Sequence, residues 1–329
     1  MDLQYRELKA KWPAAGITIT MEMHDMNKAL VDLLWDTLPY RSLQTHALVT
    51  GDHLYHLVPS EALIYTPPAL KIPNRTEAPD GTVFLSSFQH LAIKYGPVTE
   101  HHPAAPCGNV ISEDIEKLRS VGDQIWKGQL EKKRPFQVVL WDASQPEPDD
   151  ESLSLRQQRT GVTKEVKEIV KTIHDKTNES WSGISEDIRR IHSGQAADHP
   201  GSKNSYFAAM LFSNSEVRAM GYYIFDNILK VAANRPEFSL PQLIALYRDF
   251  VPTTAEFLGY VGHTFLRENH RKIDFLITEN VESNPRLDEA REDFLAMVSV
   301  FAQYINLLNA QNLHLFPWKH TAQYPITPM

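Results

Sequence analysis

Fourteen histidines stand in a chain of 329 residues. Six of the seven in the first half gather on or beside stretches that read as strands: His46, His53, His56, His90, His101 and His102. Side chains point to alternate faces of a strand. Over 53–58, His53 and Tyr55 therefore share one face, and Leu54, His56 and Val58 the other. Over 90–95, His90, Ala92 and Lys94 face away from Leu91, Ile93 and Tyr95. Leu91 and Ile93 fit a packed wall, so His90 and Lys94 point together into either a pocket or solvent. An imidazole and an ammonium in one pocket can have both their pKa values tuned for proton transfer. Any one of these histidines alone is more often a hydrogen-bonded structural or surface residue.

Imidazole is also the commonest metal ligand. His101 and His102 are adjacent, which suits joint ligation poorly, and no carboxylate spacing completes a ligand set; no metal is expected. Glu22 sits on the polar side of its alternating stretch, as a solvent carboxylate or a pocket base. Arg41, after Leu38-Pro39-Tyr40, is placed for an anion if that loop lines a pocket and is a surface charge otherwise. The single cysteine, Cys107, lies in Pro-Ala-Ala-Pro-Cys-Gly, read as a loop. One thiol allows no internal disulfide, which fits a reducing, cytoplasmic setting.

The elements that must position these residues fall into two halves. Residues 17–23 alternate at period two and form a strand. Asp25 or Asn27 can cap the helix that follows, which Pro39 ends. Strands follow at 45–49, 53–58, 83–88, 90–95 and 136–141, with a helix over 112–131. The acidic, Pro-containing stretch 145–152 reads as a linker. Beyond it the apolar spacing is helical, over 162–191, 204–212, 214–234, 239–248, 252–278 and 286–311, with a mobile-looking loop at 194–203. The fold class is α+β and multidomain: a mainly-β half over 1–148, with the Pro and Gly punctuation a barrel needs, and an all-helical bundle over 149–329. Tyr222, Tyr223, Phe225, Phe257, Tyr260, Phe265, Phe301 and Tyr304 are expected in core or inter-domain packing rather than a cofactor box, and His263 and His270 half-exposed. Phe316-Pro317-Trp318-Lys319-His320 is a compact tail motif.

Composition narrows the function. Thirty-three basic and 41 acidic residues leave a net charge of −8, and the densest basic run, Lys132-Lys133-Arg134, reads as a solvated loop. Nucleic acid is therefore not the expected partner. No apolar run reaches the roughly 18–20 residues of a membrane span. The chain has no Gly-x-Gly, no phosphate loop, no His-Glu-x-x-His and no Gly-x-Ser-x-Gly. Nicotinamide oxidoreductase, P-loop ATPase, zinc hydrolase and α/β-hydrolase all lose ground together.

The stretch from Leu33-Leu34-Trp35-Asp36-Thr37-Leu38-Pro39-Tyr40 through His53-Leu54-Tyr55-His56-Leu57-Val58-Pro59, with Phe88-Gln89-His90-Leu91-Ala92-Ile93-Lys94-Tyr95-Gly96, resembles cyclophilin-like small barrels. Paired with a C-terminal bundle that ends in Leu315-Phe316-Pro317-Trp318, the chain is similar over nearly its full length to the cucumopine synthase family and its mikimopine-forming members. The resemblance implies Pictet–Spengler condensation of L-histidine with 2-oxoglutarate: imine formation, attack by an imidazole carbon, and loss of a ring proton. No cofactor is implied, in keeping with the missing Gly-x-Gly.

That chemistry asks for an acid, a base and a cationic pocket for three substrate carboxylates. The assignment is Arg41 to a carboxylate, His90 and Lys94 to proton transfer, His46, His53 and Tyr55 to orientation, and Glu22 as a weaker base. Aromatic-rich helices make a homodimer plausible. A non-catalytic small-molecule-binding protein and a peptidyl-prolyl isomerase-like protein remain as alternatives, since fold alone does not carry function.

Overall fold

In a computed structural model, residues 5–196 and 206–316 are described. Most of the 194–203 loop, and the tail motif after Phe316, lie outside the described residues. Eight strands make a closed antiparallel barrel: β1 Arg6–Trp12, β2 Ile17–Met23, β3 Tyr40–His46, β4 Gly51–Leu57, β5 Thr82–Leu85, β6 His90–Val98, β7 Ala105–Val110 and β8 Phe136–Asp142. Their spatial order is β1-β2-β7-β5-β6-β4-β3-β8, and β8 pairs back onto β1. Closure leaves no edge strand. The interior is filled by inward residues of alternating strands, among them Leu8, Trp12, Ile19, Met21, Leu54, Val83, Leu91, Ile93 and Leu140. Helices α1 (Lys28–Trp35), α2 (Ala62–Tyr65) and α3 (Ile115–Lys127) decorate it. Leu118, Val121 and Ile125 of α3 join the barrel core.

Two strands run where no strand was expected. In β1 only Leu8, Ala10 and Trp12 face inward, between charged residues, so the apolar signal is thin. β7 contains Cys107, read from sequence as loop. Its register against β5 passes from Val83↔Gly108 to Phe84↔Pro106, so the extra residue bulges, and a bulge is where a strand tolerates proline. Cys107 is fully buried, and burial pushes its thiol up to about 12. Neither Asp25 nor Asn27 caps α1 through its side chain. Asn27 instead ties loops together, donating to the Leu70 and Pro106 carbonyls.

The second half holds α4 (Lys164–Glu179), α5 (Glu186–His192), α6 (Tyr206–Arg218), α7 (Asp226–Asn234), α8 (Leu240–Phe250), α9 (Pro252–Tyr260), α10 (Thr264–Leu276) and α11 (Leu287–Leu315). The sequence reads 252–278 as one helix; Gly262, at φ +116°, breaks it into α9 and α10. A π-helical segment, Ala219–Phe225, joins α6 to α7. α11, with 29 residues, is buried on nearly every side, as expected of a helix at the centre of a bundle. Among the described residues, no helix is long and apolar enough to cross a membrane.

Barrel and bundle are locked together. Leu43 and Leu57 of the barrel pack with Leu155, Trp181, Leu307 and Ala310, so the chain just past the acidic stretch is anchored rather than free. Buried Glu61 accepts from Arg159 Nε at 3.1 Å and from the Ser299 hydroxyl, while Arg159 also pairs with Glu292 at 2.7 Å. Lys133, read as part of a solvated loop, is half-buried and donates to the Phe316 carbonyl. His263 and His270 are buried, not half-exposed, bonded to Ser213 at 2.6 Å and Tyr247 at 2.8 Å. Of the aromatic stripe, Phe225, Phe301 and Tyr304 are core residues, whereas Tyr223, Phe257 and Tyr260 are exposed.

Candidate active site

A cavity of about 830 Å³ opens at the seam between the barrel's outer face and the bundle. This volume is in the range of small-molecule sites. Its floor comes from β4, β5 and β6. Alternation brings His53 and Tyr55 out of β4 on the side away from the barrel core, and Phe84, His90 and Ala92 out of β5 and β6. Tyr55, Ala92 and Phe84 lie across from one another in register, and the small Ala92 leaves room above the sheet. Loop residues Arg75, Glu100 and His102 stand at the rim. The roof is the bundle: Asn214 and Arg218 from α6 and Tyr222 from the π-helical segment.

That roof depends on local geometry. π-Helical turns are wider than α-helical ones and recur at functional sites. Here the wide turn carries Tyr222 toward the barrel. Gly221 lets the segment approach α11, since a Cβ there would lie 2.2 Å from Asn306 Oδ1.

The contacts join the two halves. Tyr222 Oη meets His90 Nε2 at 2.9 Å. The Tyr55 and His90 rings lie 4.7 Å apart between centroids, and the Arg218 guanidinium sits 5.2 Å above the Tyr222 ring. Arg75 forms an ion pair with Glu100, the one carboxylate among the described residues lining the cavity. Burial pushes His90 down to about 3, helped by Arg218 and His56; it does the same to His53, helped by Arg75. Burial lifts Tyr55 to about 12 and Tyr222 higher still. The floor histidines are thus neutral imidazoles and the tyrosines neutral phenols.

Of the residues singled out from sequence, His53, Tyr55 and His90 come together here. Lys94 shares the outer face with His90 and Ala92, but its ammonium binds Asp80 at 2.8 Å, beside Arg119, and does not line the cavity. His46 is buried elsewhere, bonded to Tyr95 Oη at 2.6 Å and the Ala47 carbonyl at 2.8 Å. Arg41 donates to the Asp150 carbonyl at 3.2 Å, on the linker side. Glu22 is exposed on the outside of the barrel, in register with Glu7 and Asn109. Arg75, Glu100, Asn214, Arg218 and Tyr222 were not anticipated, because loop folding and bundle docking bring them together. Among the described residues, no three His, Cys, Asp or Glu side chains group so as to hold a metal ion.

A barrel roofed by a helical bundle, with a mostly apolar cavity at the seam that holds a few polar and charged groups, defines a two-part protein with a small-molecule-sized site. Residues 166–315 match the cucumopine synthase C-terminal helical bundle domain. The structure of McbB in complex with tryptophan resembles this one with a TM-score of 0.88 at 39% sequence identity, covering 94% of this chain and 97% of McbB. The chain therefore belongs to the cucumopine synthase family. A search of curated proteins finds no match.

Proposed function

We propose that the protein is a Pictet–Spengler-type synthase that condenses L-histidine with 2-oxoglutarate to an imidazole opine, cucumopine or its diastereomer mikimopine. The observation that carries this reading is Glu100. It is a single carboxylate gripped by Arg75 at the rim of a cavity in which burial keeps His53, His90, Tyr55 and Tyr222 neutral. Condensation needs a group that first gives a proton and later takes one back, and no other carboxylate among the described lining residues could do both.

The substrate amine attacks the keto carbon. Glu100 protonates the resulting hydroxyl, which leaves as water, and a protonated imine remains. A ring carbon attacks the imine carbon, forming the new C–C bond. The ring then gives up its proton to the Glu100 carboxylate, which restores both the aromatic ring and the acid. No electrons are exchanged with a cofactor. Arg75 holds Glu100 in place, and the His90–Tyr222 pair presents neutral hydrogen-bonding groups that orient the acid partner. Against the one carboxylate stand Arg75, Arg218 and Lys71, so the site is locally cationic in a chain of net charge −8, as a pair of substrates with three carboxylates requires.

McbB was solved with tryptophan, which favours a second reading, an indole-bearing amino acid in place of histidine. Purified, metal-stripped protein is incubated with 2-oxoglutarate and either L-histidine or L-tryptophan, without nicotinamide, and the products are weighed by mass spectrometry. A species at the summed mass less one water, with ring closure seen by NMR, supports condensation and names the amine. No product above the enzyme-free background with any amine, keto acid or added metal leaves a binding protein.

A further inference from the structure

Of the cations at or near the cavity other than Arg218, Lys71 is exposed and the rest are paired. Arg75 has Glu100, and Lys94 and Arg119 share Asp80. Arg218 differs. It lines the cavity, half-buried, with the Tyr222 ring face beneath it and no carboxylate partner among the described residues. One helical turn earlier on α6, Asn214 also lines the cavity, and its buried Oδ1 has no hydrogen-bond partner. Positions i and i+4 of a helix are surface neighbours, about 5–6 Å apart at Cβ. On this shared helix face, the unpaired guanidinium calls for an anion and the buried, unpaired amide oxygen for an N–H donor.

We propose that Arg218 and Asn214 form the head-group subsite for an α-amino acid, the guanidinium taking the α-carboxylate and the Asn214 amide oxygen taking an N–H of the α-amine. This rests on the condensation reading above and deepens it by dividing the cavity. The bundle wall selects the amino acid, and the keto acid occupies the Arg75–Glu100 end, where water must leave. The arrangement also favours attack. The nearby Arg218 charge disfavours an ammonium, and a neutral amine is the nucleophile. A carboxylate can meet a guanidinium with two parallel hydrogen bonds, and the aromatic face beneath Arg218 holds the cation in place before the ligand arrives.

The test is calorimetric titration of the full chain with the amine substrate alone, comparing L-histidine with histamine, which lacks the carboxylate. Arg218→Gln is expected to weaken L-histidine binding at least about tenfold, as for loss of a charged hydrogen bond, with histamine changed less than about twofold. Asn214→Leu is expected to weaken both, because both carry the amine. Circular dichroism confirms that each variant is folded. If wild-type protein does not bind L-histidine, L-tryptophan and tryptamine replace the pair; no binding of either amino acid overturns the subsite. So does unchanged amino-acid affinity in both variants. Binding that depends on Arg218 without any product in the turnover assay keeps the subsite and rejects the condensation, so the two readings fail separately.

Discussion

Tyr222 of the bundle and His90 of the barrel bond at 2.9 Å, Oη to Nε2, across the seam of the two halves. Burial keeps the imidazole unprotonated and the phenol protonated. With the hydroxyl donating, the ring carries its own proton on Nδ1, so one contact from the bundle fixes the tautomer of a residue on the barrel sheet. Tyr222→Phe removes one neutral hydrogen bond, worth about 0.5–1.5 kcal/mol. It should lower kcat/KM for condensation roughly two- to tenfold and lower the thermal midpoint by a few degrees at most. Steady-state kinetics on the two proteins decides; equal kcat/KM values would remove the contact from the mechanism.

Glu100 and Lys94 separate the sequence assignment from the structural one. Lys94 serves Asp80, outside the cavity, so Lys94→Met should reduce stability and leave the turnover of folded protein within about twofold. Glu100→Gln keeps the shape but cannot accept and return a proton. A fall of about 10²–10⁴-fold in kcat is expected, as for loss of a general acid–base group. Measuring both variants in the same mass-spectrometric assay settles the order. A Lys94 variant that is folded and dead beside an active Glu100 variant would reverse it.

How far the sequence reached follows from which interactions are local. The outward face of β4 and β6 was legible because strand alternation needs no tertiary information; that the face opens on a cavity, with His53, Tyr55 and His90 on its floor, was not. Lys94 was on the right face, but its partner Asp80 lies in a turn whose path the pattern does not reveal. Arg41 and His46 belong to β3, on the other side of β4 from β6, where bundle and loops cover different residues. Arg75, Glu100 and Arg218 carry no local signal beyond charge. Their meeting depends on two loops and a helix separated by more than a hundred residues, and on a wide helical turn at Gly221. The one hint available was Tyr222 in the aromatic stripe, read as packing.

Asp226 offers a pH test of the buried polar layer beneath the roof. Asn306 Nδ2 donates to its Oδ1 at 3.1 Å, while Oδ2 is buried without a partner. Burial raises its pKa to about 7, against about 3.9 in an unfolded chain. A raised carboxyl contributes fully below the unfolded value and loses that contribution as pH rises through the folded one. Asp226→Asn removes the titration. Its stability relative to wild type should therefore climb from about pH 4 to about pH 7 and then level off, by up to a few kcal/mol. Urea midpoints at pH 5.5, 7 and 8.5 check this, and a pH-independent difference would show that Asp226 is not buried as an acid.

The buried histidines set the opposite limb. Burial alone pushes His56, bonded to Tyr40 Oη at 2.9 Å in the barrel, down to about 3. His53, His90 and His263 lie equally low. Unfolded histidine titrates near 6.5, so between about pH 6.5 and 3 the unfolded chain binds protons that the folded chain refuses. Stability is then full above the unfolded value and falls with pH by about 1.4 kcal/mol per unit for each such histidine. Wild-type protein should begin to lose stability already below about pH 6.5, before most carboxylates titrate. His56→Gln removes one of these sites and should flatten the slope between pH 6 and 4.5 by about one proton, even if it lowers stability at pH 7. Chemical denaturation at three pH values in that window gives the slopes directly; parallel curves for the two proteins would mean that His56 accepts its proton inside the folded barrel.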